Sequence, residues 1–161
     1  MRRFPFRDRS FDAATSSDVF EHVPREWRPH WAAELARVAR FGQVHTVPCS
    51  SDDGQFAGRA ADEEFQRWHS ETFGRTDAFT SQHQEHGLPS PDELSQLFPG
   101  ARLVGFANTD VWQQSVRDQF RRTSRAARVL NGFAFLRRHG QSERPPFKNC
   151  LVDALPAPRP R

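Results

Sequence analysis

The chain has 161 residues, enough for one domain with a core of its own. Hydrophobic residues make up 36% and charged residues 27%, and no apolar run approaches the roughly 18 residues of a spanning helix, so the composition excludes a transmembrane span. The net charge is +3 and the pI about 9.6, carried almost entirely by arginine.

The opening MRRFPFRDRSFD has two arginines but no apolar stretch behind them. It does not read as a secretory signal, and a cytoplasmic protein is expected. Cys49 and Cys150 match no metal spacing and are expected to be free thiols in that compartment. Lys148 is the only lysine. Asp and Glu interleave with the arginines nearly everywhere, so the basic balance reads first as a compositional bias and only second as an affinity for phosphate-rich partners.

Residues 7–10 (RDRS) read as a turn before a short strand, residues 11–17 (FDAATSS). Ala13 and Ala14 make that strand weak on propensity. Residues 25–40 read as a helix, with Trp31, Leu35 and Val38 on one face and Gly42 as its stop. Residues 43–47 (QVHTV) read as a strand ended by Pro48. Strand, helix and strand on short turns predict a β-α-β unit with parallel strands and a right-handed crossover.

Residues 50–58 read as a polar loop. A helix over 61–73 would carry Phe65, Trp68 and Phe73. Residues 76–91 are rich in His and Gln and read as irregular. Ser90 and Pro91 open a short helix as N-cap and first position, and it ends at residues 98–100. Residues 102–107 (RLVGFA) predict a third strand. Residues 111–138 read as helical in two pieces, broken near Asn131-Gly132. Residues 147–155 (FKNCLVDAL) predict a fourth strand, and the tail PAPRPR reads as disordered. The whole is an α/β layer fold. Ligands in open sheets of this kind bind beyond the carboxyl ends of the strands. Two segments should therefore hold chemistry: 16–22 after the first strand and 48–53 after the second.

The stretch FPFRDRSFDAATSSDVFEHV resembles the class I S-adenosylmethionine-dependent methyltransferases, of the type 11-like kind. There an "LPF-x-D-x-SFD" entry, a strand and a "D-V-x-EH-V" turn are common. ELARVAR resembles the helix after that turn and GQVHTVPCS the next strand. EHGLPSPDELSQLFPGARLVGFANTDVW resembles a later helix, strand and linker of some of these enzymes. The resemblance covers residues 4–112, with 147–155 as a final antiparallel strand. It implies a partial Rossmann-like methyltransferase sheet: the C-terminal strands and flanking helices only. The family's Gly-rich cofactor loop and the acidic residue after its second strand have no counterpart here. The resemblance therefore implies an N-terminally truncated member, with residues 1–155 a single incomplete domain and 156–161 its tail.

The cofactor implied is S-adenosyl-L-methionine, and its binding by this chain alone is expected to be weak or absent, because half a pocket loses most positioning. Ser17, Asp18, Val19 and Glu21 are implied on the cofactor side, where a carboxylate suits a sulfonium. His22 is the candidate general base, with pocket lining and a structural role as its alternatives. His83 and His86 are implied in a lid or substrate-side loop, while Asn108 and Trp112, after the third strand, read either as substrate-facing or as core residues. His83-Gln84-Glu85-His86 holds metal-ligand types, but no second cluster completes a site, and no metal is expected.

The expected function is methyl transfer to an unidentified acceptor, most readily a small molecule. Two alternatives stand beside it. One is a non-catalytic remnant or interaction subunit that needs a partner to complete the sheet. The other is an arginine-rich nucleic-acid-binding module, using Arg121, Arg122, Arg125, Arg128, Arg137 and Arg138. The simpler reading of that run is a solvated helix face, and a membrane-surface helix is a further one.

Overall fold

The computed structural model describes residues 3–120, 129–130 and 143–155. The six arginines of the basic run, the break near Asn131-Gly132 and the tail 156–161 lie outside the described residues.

Four strands form one open sheet: β1 (Phe11–Ser17), β2 (Ala39–Pro48), β3 (Arg102–Asn108) and β4 (Phe147–Ala154), in the order β1-β2-β4-β3. β1 and β2 are parallel, in a register that sets Thr15 beside Val44 and Ser17 beside Thr46. β4 runs antiparallel to both its neighbours, with Cys150 between Val47 and Gly105. Around the sheet lie α1 (Arg28–Val38), α2 (Gly58–Phe73), α3 (Ala78–His86), α4 (Pro91–Leu97) and α5 (Thr109–Phe120). This mixed α/β arrangement is compatible with a partial Rossmann-like fold, and the parallel β-α-β start and the final antiparallel strand are both present.

The core lies between the sheet and the α1/α4 side. Phe20, Ala32, Val47, Leu94, Phe98, Phe147 and Val152 are buried together, with Trp31 and Leu103 packed against them. Phe20 is the pin. Its ring meets Trp31 at 5.4 Å and Phe98 at 5.7 Å between centroids. A single 3-10 turn, Phe20–His22, can therefore have Phe20 in the core and the buried Glu21 beside the half-buried His22. Cys49 and Cys150 are buried free thiols, and burial pushes the Cys150 thiol up to about 11.

Three expectations need correction. Gly42 does not stop the first helix. α1 ends at Val38 because Ala39 is already extended and paired with Phe11. Gly42 lies inside β2 at φ 146, where a Cβ would come within 2.5 Å of the Ala154 carbonyl oxygen; it lets the end of β4 close on β2. Second, residues 25–27 form a 3-10 turn, and the α-helix proper begins at Arg28. Third, residues 76–91 are not irregular. Asp77 caps α3 by accepting from the Thr80 N–H at 3.0 Å, and Gly87, at φ 71, ends it. Ser90 caps α4 in the same way, as its sequence suggests.

Candidate functional site

Asp18 follows β1 at φ 49, a left-handed backbone that Asp tolerates better than most residues. Its N–H donates to Thr46 O of β2 at 3.0 Å, so the turn leaves the sheet at once. The chain then drops Phe20 into the core and presents Glu21 and His22 above the carboxyl ends of β1 and β2. β4 starts at that same end, and contributes Lys148 and Asn149. α2, α3 and α5 close the other sides.

Together they surround a cavity of about 480 Å³. Asp18, Glu21, His22, Asp62, Asp77, His83 and Lys148 line it alongside Phe65, Phe79, Trp112, Val116 and Phe120. That size suits a small molecule. The Lys148 ammonium sits 4.9 Å from the centre of the Trp112 ring.

Glu21 is fully buried, and neither carboxylate oxygen has a hydrogen-bond partner among the described residues. Burial pushes its carboxyl up to about 7. Glu21 Oε1 lies 3.8 Å from His22 Nε2 and 3.8 Å from His83 Nε2. Burial, with the nearby His83, holds the His22 ring below its ordinary value. His22 Nδ1 is 2.8 Å from Gln82 Oε1, and His83 Nδ1 is 2.9 Å from Asp62 Oδ2. Asp62 in turn accepts from Lys148 Nζ at 2.7 Å.

The sequence candidates divide. Asp18, Glu21, His22, His83 and Trp112 line the cavity. Ser17 is off the cavity lining, with Oγ donating to Asp18 Oδ2 at 3.2 Å and accepting from Thr46 at 3.0 Å. Val19 is an exposed residue ahead of the 3-10 turn. Asn108 is off the cavity lining; Oδ1 caps α5 by accepting from the Asp110 N–H at 3.0 Å, and Nδ2 donates to Arg144 O at 3.0 Å. His86 is the last residue of α3 and is likewise off the lining, its carbonyl accepting from Arg28. His83 and His86, read as one cluster in the sequence, therefore part company. His83 joins Glu21 and His22, about sixty residues earlier in the chain.

Sequence reasoning missed Asp62, Lys148 and Arg28. Arg28 is fully buried in α1. It donates to Val23 O at 3.1 Å, to Glu93 Oε1 at 3.0 Å, and to the His86 and Gly87 carbonyls at the end of α3. It clamps the helix that carries His83. A lone Asp in α2 and the single lysine of the chain offered no local pattern, since their meaning lies in their pairing across 86 residues.

A family model described as a methyltransferase domain matches residues 1–46. The match covers 46 of the 161 residues, and over that segment the chain is similar to the methyltransferase domain. The match spans the segment before β1, β1 itself, the Asp18–His22 turn, α1 and most of β2. It supports a class I S-adenosylmethionine-dependent methyltransferase. Asp18, Glu21 and His22 of the cavity lining lie inside the matched segment, and α2, α3 and α5 belong to the remainder of the chain. No curated protein matches the chain. No described helix is long and apolar enough to cross a membrane.

Proposed function

We propose that the protein transfers a methyl group from S-adenosylmethionine to a small-molecule acceptor held in the cavity, and that residues 1–155 supply the carboxyl-edge portion of the methyltransferase domain. One observation carries the reading: the cavity opens at the carboxyl ends of β1 and β2, on the turn that closes the family-matched β1. The donor set suits the cofactor. Asp18 and Glu21 offer negative charge to a sulfonium, Phe65 and Trp112 offer ring faces, and Asn149 has a buried Oδ1 without a hydrogen-bond partner among the described residues.

When bound, the cofactor supplies an electrophilic methyl group on a positively charged sulfur. Asp18 and Glu21 form its side of the pocket, and His83 and Trp112 the acceptor's side. His22 Nε2 is placed to take the acceptor's proton while Gln82 holds the opposite ring nitrogen. Two free buried thiols agree with a cytoplasmic setting.

The 161 residues contain no Gly-x-Gly after a strand. Binding by this chain alone is therefore weak. Nuclear magnetic resonance titration with S-adenosylmethionine is the test. Amide shifts over Ser17–His22 at millimolar cofactor are expected. No shift at any concentration would remove the reading, and micromolar affinity would overturn the weakness.

A second reading has its own observation. β1 is an outer strand of the described sheet, and Phe6, Phe11 and Phe41 are exposed beside it. A partner protein that pairs with β1 and covers these rings would make the chain an interaction subunit. A chain that stays monomeric at every concentration and captures no β-strand peptide would speak against it.

A further inference from the structure

Glu21 Oε1, His22 Nε2 and His83 Nε2 converge at one wall of the cavity, and neither Glu21 oxygen has a hydrogen-bond partner among the described residues. The acceptors at both Nδ1 atoms, the Gln82 carbonyl and the Asp62 carboxylate, put the protons on Nδ1 and turn the Nε2 lone pairs inward. The two Nε2 atoms are 3.4 Å apart, and each is 3.8 Å from Glu21 Oε1. Two imidazole nitrogens and a buried carboxyl group at these distances need a shared proton or a metal cation among them, and the three convergent donors have the types and spacing of metal ligands.

We propose that Glu21 Oε1, His22 Nε2 and His83 Nε2 bind one divalent first-row transition-metal cation. The circle through the three atoms has a radius of about 2.1 Å, an ordinary zinc–imidazole or zinc–carboxylate bond length. Two imidazoles and one carboxylate suit zinc, cobalt, iron or manganese and not calcium, which takes six or more oxygens. The surroundings are those of a built metal site. Each histidine is oriented by an acceptor on its far nitrogen, and Asp62 is itself fixed by Lys148. Phe20, locked in the core, holds the Glu21–His22 turn. Arg28 holds the end of α3, and hence His83.

Three protein ligands leave positions open to the cavity, where a hydroxyl or water oxygen would bind and lose its proton more readily. His22 Nε2 is then a ligand, and the metal takes over activation of the acceptor oxygen from the ring. That use rests on the methyl-transfer reading. The binding itself does not, and the experiment reads binding without any cofactor.

The full chain, stripped with a chelator, is titrated with Co²⁺ and followed by its visible absorption, then with Zn²⁺ by calorimetry. One equivalent is expected, with a dissociation constant on the order of 1 µM or tighter. Glu21→Gln, which keeps the shape of the side chain, His22→Ala and His83→Ala are each expected to weaken binding at least roughly tenfold. The exposed His30→Ala is expected to change nothing. Far-ultraviolet circular dichroism checks that each variant is folded, and Glu21→Gln alone suffices where a histidine variant is not. Absence of a stoichiometric cobalt spectrum in the wild type, or binding that survives in a folded Glu21→Gln chain, would overturn the proposal.

Discussion

Lys148 Nζ donates to Asp62 Oδ1 at 2.7 Å, and both residues are buried, at 1% and 2% exposure. This contact ties the start of β4 to α2 and orients the carboxylate that accepts from His83 Nδ1. Removing Lys148 leaves the buried Asp62 carboxylate with only the neutral His83 ring among the described residues to serve it, and removing Asp62 strands the Lys148 ammonium. Lys148→Met is expected to cost about 3–5 kcal/mol in urea unfolding. The double variant Lys148→Met with Asp62→Leu is expected to recover part of that loss. A double variant no more stable than the single one would show that the pair is not the source.

Arg28 is expected to matter nearly as much. Arg28→Met strands the Val23, His86 and Gly87 carbonyls and the Glu93 carboxylate, all of which it now serves. A loss of about 3 kcal/mol follows from a few unpaired buried acceptors. Arg28→Lys should do little better, because an ammonium cannot span three directions as a guanidinium fork does. Hydrogen exchange locates the effect: amides of α3 should exchange faster, while those of β2 change less. Uniform acceleration across the chain would contradict the clamp.

Gly58 opens α2 with its N–H donating to Cys49 O at 2.9 Å. A Cβ there would overlap that same carbonyl oxygen. Gly58→Ala is expected to cost about 1–3 kcal/mol, as overpacking does, although alanine is the better helix former. A stabilised Gly58→Ala in thermal unfolding would mean that the loop before α2 can yield.

His45 gives the fold a pH dependence of known sign. It is buried in β2 with its ring against Trp31 and Phe98 and Nδ1 2.8 Å from Ser16 Oγ, and burial holds the ring down to about 4. The unfolded chain therefore binds the extra proton between about pH 6.5 and 4. Stability from the neutral ring is complete above 6.5 and is lost as pH falls toward 4. His45→Gln removes this titration. The stability difference between wild type and variant should shrink or reverse over that window and stay flat above it. Urea midpoints at pH 7.5, 6, 5 and 4 read it directly, and a constant difference would refute the assignment.

What the sequence revealed follows from how local each signal is. β1, α1, β2, α4, β3 and β4 carry their patterns and caps in contiguous residues, and Ser90-Pro91 was readable as a helix start. α3 escaped because its nine residues are mostly polar. Yet Asp77 and Gly87, its cap and its stop, were in plain view. Gly42 misled because a glycine after a helical pattern reads as a stop, while pairing with β1 had already drawn Ala39 into a strand. The Asp18–His22 turn was legible as a site from its place after a strand. Its joining to His83, Asp62 and Lys148 was not, because those contacts depend on how α2, α3 and β4 pack.

The antiparallel β4 occupies an inner place in the sheet, although its residues come last among the described elements. Until it arrives, β2 and β3 have no common neighbour, and Val47 and Leu103 lack the Cys150 and Val152 that join them. The late strand acts as a keystone. The growing chain must keep two incomplete edges from pairing with other chains until some 40 residues beyond β3 have been made. Lys148 and Asn149 arrive with it, so the cavity and the folded sheet are completed in the same event.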